Sequence, residues 1–122
     1  MNEEGHEAYA LSMRPPSTVK VGHRTYKITL LDHIQSETGV VGFCGNDVQE
    51  ILIDKNQAGA NLQDTVLHEL GHAMFHLASL GKDYGGTIKS DDEERVLRVL
   101  TPLLLDLLQR NPKLVAYLTG RA

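Results

Sequence analysis

Near its start the chain alternates apolar and polar residues: Val19 and Val21, then Tyr26, Ile28 and Leu30, flank Gly22-His23-Arg24. A period of two puts these side chains on one face, so the segment predicts a two-stranded hairpin half-buried on one side. After a stretch punctuated by Gly39, Gly42 and Gly45-Asn46, the run Val48 to Asp54 sets Ile51 and Ile53 on one face and predicts a third strand. The period then changes. Gly59 and Asn61 mark a break, with Asn61 suited to an N-cap. The stripe Val66, Leu70, Ala73, Met74 and Leu77 then predicts a helix from about Leu62 to Leu80, closed by Gly81. A polar, Gly-rich loop from Lys82 to Lys89 leads to Ser90, whose Ser-x-x-Glu spacing to Glu93 suits a capping box. The helix opened there is Leu/Val-rich through Leu108, and Pro102 inside it is expected to kink it or mark a helix start. Asn111-Pro112 opens a short last helix with Gly120 near its end. Residues 1 to 16, ending in Pro15-Pro16, have no period and read as a flexible arm, which leaves 17 to 122 as a single domain.

Composition narrows the class. A chain of 122 residues can bury one core and is too short for two ordinary domains. With 41% hydrophobic and 23% charged residues it is globular in type, and with 5% aromatics and no Trp its core is expected to be aliphatic. A net charge of -4 and the lack of any Lys/Arg cluster argue against nucleic acid as a partner, because phosphate contacts need a basic face. A basic or neutral protein partner is easier to accommodate. One cysteine, Cys44, cannot form a disulfide within the chain, so packing or a metal must stabilise it and a reducing compartment suits it. Met1 to Ala10 lacks the apolar run of a signal peptide, and no stretch is as long as a membrane span. The expectation is a cytoplasmic protein without a membrane partner; oligomeric state is left open.

The residues that carry chemistry lie in the first long helix, where Val66-Leu67-His68-Glu69-Leu70-Gly71-His72 contains H-E-x-x-H. Residues four apart on a helix share a face, so His68 and His72 can both aim an imidazole nitrogen at one tetrahedral cation, for which zinc is the natural candidate. Glu69, one step round from His68, can reach a water at such a site and serve as general base. The bland alternative is two ordinary histidines and a solvated carboxylate.

A catalytic zinc usually has three protein ligands. His76 stands about 12 Å along the axis from His68, too far to join the other two on an unbroken helix, and so reads as a residue that packs or supports a ligand from behind. A metzincin would need Gly at 75 and His at 78, where this chain has Phe75 and Ala78. The remaining source is the acidic start of the next helix, Asp91 to Glu94. From Glu93, positions three, four and seven later are Val96, Leu97 and Leu100, all apolar, so Glu93 heads what looks like the buried stripe. From Glu94 they are Leu97, Arg98 and Thr101, from Asp91 they are polar, and Asp92 is intermediate. Glu93 is therefore the expected third ligand, although all four carboxylates also suit the positive end of a helix dipole. Cys44 with H-E-x-x-H would match the ligand types of peptide deformylases. Their Glu-Gly-Cys-Leu signature is absent, and in Gly42-Phe43-Cys44-Gly45 the cysteine reads as a small apolar residue.

With these motifs the stretch from about Lys20 to Leu118 resembles the gluzincin-like ImmA/IrrE metallopeptidases, in particular short, stand-alone phage or prophage members. The likeness rests on a hairpin, the strand ending Ile51-Leu52-Ile53-Asp54, the helix Thr65 to His72, and an acidic start to a second apolar helix. It implies His68, His72 and Glu93 as zinc ligands and Glu69 as general base. His76 falls where such sequences often carry histidine. The Ala- and Asn-containing run that usually follows the third ligand is replaced by Val96, Leu97 and Leu100, and no helix-turn-helix partner domain is seen. The expected fold is α+β: a minimal zincin-like domain whose small, mostly antiparallel sheet packs on the H-E-x-x-H helix, with C-terminal helices behind. The expected activity is hydrolysis of peptide bonds in a protein or peptide substrate, possible targets including a regulatory or repressor protein. Tyr84 and His33 are candidates for oxyanion stabilisation. The alternative is a zinc-containing protein that binds a host protein without cutting it.

Overall fold

The alternating segment forms β1 (Thr18–Val21) and β2 (Arg24–Leu31) in the computed structural model, which describes residues 14–79 and 90–121. Val21 pairs with Arg24 and Val19 with Tyr26, antiparallel, across a two-residue turn. Gly22 takes φ 61 there, a conformation costly for residues with a Cβ. A short helix, α1 (Ile34–Thr38), and two further strands follow, β3 (Gly42–Gly45) and β4 (Glu50–Asp54). The sheet order is β1-β2-β4-β3. β3 pairs antiparallel with β4, whereas the central pair β2–β4 is parallel, with Ile28 opposite Ile51 and Leu30 opposite Ile53. The protein is thus α+β with a mixed sheet. Parallel neighbours need a long crossover, here supplied by α1 and β3. Neither is legible as a period: α1 has five residues, and β3 reads Gly-Phe-Cys-Gly.

Asp54, at the end of β4, secures this crossover. Its two carboxylate oxygens accept the backbone N–H groups of Gln35 and Asn56, each at 2.9 Å, and these bonds, Gln35 first, hold its pKa below the ordinary carboxylate value. A depressed folded-state pKa contributes stability above the unfolded value of about 3.9, and that contribution fades as pH falls through the folded value. Asp54→Asn should therefore melt at a lower temperature than wild type at neutral pH, with the gap closing below about pH 4. Parallel melting curves from neutral pH down to pH 2 check this, and a gap independent of pH would contradict it.

One face of the sheet packs on α2 (Gly59–Ser79). Tyr26, Ile51 and Ile53 are fully buried with Val21, Ile28 and Ala73, and Val66, Leu70 and Leu77 of α2 close over them. The core is aliphatic except for Tyr26, whose hydroxyl donates to Asn46 Oδ1 at 2.7 Å. Met74, expected in the buried stripe, is 48% exposed. The helix also starts earlier than its sequence suggests. Asn61 lies inside the first turn rather than at the N-cap, and its carbonyl accepts the Thr65 hydroxyl at 2.9 Å. That single proton is shared with Gln57 Oε1, at 2.7 Å, and Gln57 Nε2 donates to the Asp54 carbonyl at 2.8 Å, so side chains tie the helix start to β4.

α3 (Ser90–Arg110) packs on α2, and α4 (Pro112–Leu118) follows it. Pro102 neither ends nor divides α3. The carbonyl it leaves unpaired belongs to exposed Arg98, on a side where water can satisfy it. At the α2–α3 crossing, a Cβ on Gly71 would lie 2.4 Å from Leu97 Cδ2. Gly71→Ala should consequently destabilise despite better helix propensity, since overpacking costs about 1–3 kcal/mol and the propensity gain is about 1 kcal/mol. Adding Leu97→Ala makes room, so the two losses should be less than additive in denaturant titrations. Strict additivity would mean the helices do not meet there. Residues 1–13 of the expected N-terminal arm lie outside the described residues, as do Leu80, Gly81 and the loop Lys82 to Lys89 with Tyr84. No helix among the described residues is long and apolar enough to cross a membrane.

Candidate metal centre

His68 and His72 rise from the same side of α2, with ring centroids 4.9 Å apart and planes at 74°. Both Nε2 atoms converge on one carboxylate from α3. Glu94 Oε1 is 3.0 Å from His68 Nε2, and Glu94 Oε2 is 2.7 Å from His72 Nε2. The ligand atoms of these three residues all lie within 4.8 Å of one another. A tetrahedral cation with bonds of about 2.0–2.2 Å needs ligand atoms roughly 3.3–3.6 Å apart, so small side-chain adjustments admit one. Two imidazoles and one carboxylate fit zinc in donor type and leave a coordination position open.

Glu93, the third ligand expected from spacing, is not in this group. Its Oε2 lies 2.5 Å from Nδ1 of His72, on the far side of the ring from Glu94. The reason is how α3 is turned. The stripe facing α2 is Glu94, Leu97 and Thr101, with Leu97 7% and Thr101 3% exposed, whereas Val96 and Leu100, which continue from Glu93, are 39% and 55% exposed. The richer apolar stripe is the outer one, and choosing the richer stripe selects the neighbouring carboxylate. The Ser90 side chain of the expected capping box lies outside the described residues.

Burial and charge tune these groups in different directions. Burial pushes the Glu69 carboxyl up to about 7, against the attraction of His72 and with help from the Glu94 charge. Desolvation disfavours a charged His72 ring, but the Glu93 hydrogen bond and the Glu69 and Glu94 charges outweigh it, so its pKa is raised. Glu94 is held low: its own desolvation is outweighed by His68, His72 and Arg98, whose Nε lies 3.6 Å away.

The group lines a cleft of about 670 Å³ whose opposite wall is β3, with Gly42, Phe43 and Cys44. A Cβ at Gly42 would lie 3.2 Å from Glu69 Cγ, so the glycine lets the strand approach the carboxylate closely. Cys44 is half-buried against the core and its Sγ lies 3.3 Å from Asn46 Oδ1; burial, then the Glu69 and Glu93 charges, push its thiol up to about 12. It is outside the ligand group. So is His76. His33 is exposed at the start of α1 and away from the cleft lining, with φ 65. Asp64, which the sequence reading passed over, lines the cleft one turn before His68, and its Oδ1 is buried without a hydrogen-bond partner. Its four-residue spacing from His68 is the signal that places it there.

Comparison of the chain with family models, with curated proteins and with solved structures finds no match.

Proposed function

We propose that the chain is a zinc-dependent metallopeptidase with a minimal zincin-like fold, of the kind its resemblance to the ImmA/IrrE group implies. His68, His72 and Glu94 would hold the metal. The convergence of two Nε2 atoms and one carboxylate beside buried Glu69 carries this reading. When bound, zinc supplies a Lewis acid that polarises a scissile carbonyl and acidifies water. Glu69, with its pKa near neutrality, takes a proton from the attacking water and returns it to the leaving amine. Glu93 accepts the Nδ1 proton of His72 and so fixes the tautomer that leaves Nε2 free as a ligand. The cleft has the volume of a small-ligand site, enough for a short peptide segment, so an extended or unfolded stretch of a protein is the substrate class.

The test is direct. Purified chain is assayed for bound zinc, then incubated with a mixture of unfolded proteins whose new N-termini are read by mass spectrometry. New termini should appear with zinc, vanish with chelator and return when zinc is restored. One equivalent of tightly bound zinc with no new termini would leave a metal-stabilised binding protein instead. No zinc uptake at all would end both readings.

A further inference from the structure

α3 is apolar on two sides. Leu97 and Thr101 are buried on its inner side, with Leu105 and Leu108 half-buried. The outer side carries Val96, Val99, Leu100, Leu103, Leu104 and Leu107, which are 39% to 62% exposed. Arg95, Arg98, Pro102 and Gln109 occupy the remaining sector. The outer stripe exposes on the order of 500 Å², towards the top of what a soluble monomer shows in one patch.

Its pattern is the same in both directions. About the midpoint of Leu100 and Leu103, Leu100 answers Leu103, Val99 answers Leu104, and Val96 answers Leu107. An isologous contact requires such self-complementarity. Charge follows this symmetry to within one residue. Asp92 and Arg110 lie about five whole helical turns apart and so share one edge of the stripe. A two-fold axis at the midpoint keeps that edge on one side and brings Asp92 of each copy opposite Arg110 of the other. Arg110 is already 3.1 Å from Asp106, but as an exposed pair of the kind that contributes little.

We propose that the outer face of α3 binds a second copy of this chain, the two helices packing antiparallel along this stripe with an Asp92–Arg110 pair at each end. Two stripes would bury about 1,000 Å², the lower bound of a specific interface. A lipid surface is the less favoured occupant: beside the stripe Arg95 and Arg98 are offset by Asp91 and Asp106, and the chain carries a net charge of -4. The proposal does not depend on the metal.

Analytical ultracentrifugation of the full chain should give twice the 13.5 kDa mass of one chain, dissociating on dilution. Leu100→Glu and Leu103→Glu, at exposed positions outside the metal site, should be monomeric with unchanged circular dichroism. Asp92→Arg and Arg110→Asp should each weaken association by about tenfold, and combining them should restore it. A wild-type monomer at every concentration overturns the proposal, as does a dimer that survives both leucine substitutions. A monomer that co-sediments with phosphatidylcholine vesicles would assign the stripe to lipid. A monomeric chain that still binds zinc and cleaves protein would sink this inference alone.

Discussion

Glu94→Gln is expected to lose zinc on dialysis, while Glu93→Gln and Glu93→Ala keep one equivalent with affinity reduced about 10- to 100-fold. The difference follows from which atoms each carboxylate meets. Glu94 contacts Nε2 of both histidines, so in the proposed centre neutralising it would remove the one negative ligand and leave two imidazoles for a divalent cation. Glu93 meets His72 at Nδ1, the nitrogen turned away from the ligand group. Its removal frees the ring to change tautomer and rotate, which weakens the site without dismantling it. Competition with a chromophoric chelator measures all three variants on one scale. Stoichiometric zinc in Glu94→Gln with loss in both Glu93 variants would show that the helix turns to present the other carboxylate when metal is bound.

For the proposed peptidase, Glu69→Gln should abolish most proteolysis while retaining zinc. General-base catalysis contributes typically about 10²–10⁴-fold, and a glutamine of nearly the same shape cannot take the proton. The loss should fall on kcat, since Glu69 lies outside the metal ligand group. In the wild type the acid limb of the pH–rate profile should lie at or below 7: burial raises Glu69 to about 7, and a nearby cation can only pull that value down. An unchanged rate in Glu69→Gln would remove catalysis from this carboxylate, and an acid limb above 7 would mean that another group controls the rate.

The hairpin, β4 and the H-E-x-x-H helix are legible from the sequence because each has a period long enough to read, and His68, Glu69 and His72 lie within the clearest of them. β3 and α1 are not, since four residues with two glycines and a five-residue turn of helix carry no period. Their positions are set by pairing with β4 and by Asp54, contacts distant in sequence. Glu94 was obscured for a different reason. Apolar richness marks a buried face only when a helix has one such face, and α3 has two. Gly71 lets Leu97 pack closely against α2 with Glu94 on the same side, and nothing near Glu93 or Glu94 in sequence announces that contact.

Both histidines come from α2 and the carboxylate from α3, two helices separated by ten residues of sequence. On the proposed reading, a captured ion acts as a rivet through two neighbouring beams. Because the unfolded chain offers no preformed pocket, occupancy is coupled to folding: zinc at a hundred times its Kd raises stability by about 2.7 kcal/mol. The melting temperature would then report free zinc, and metal starvation would first loosen α3 from α2 while the sheet stays intact.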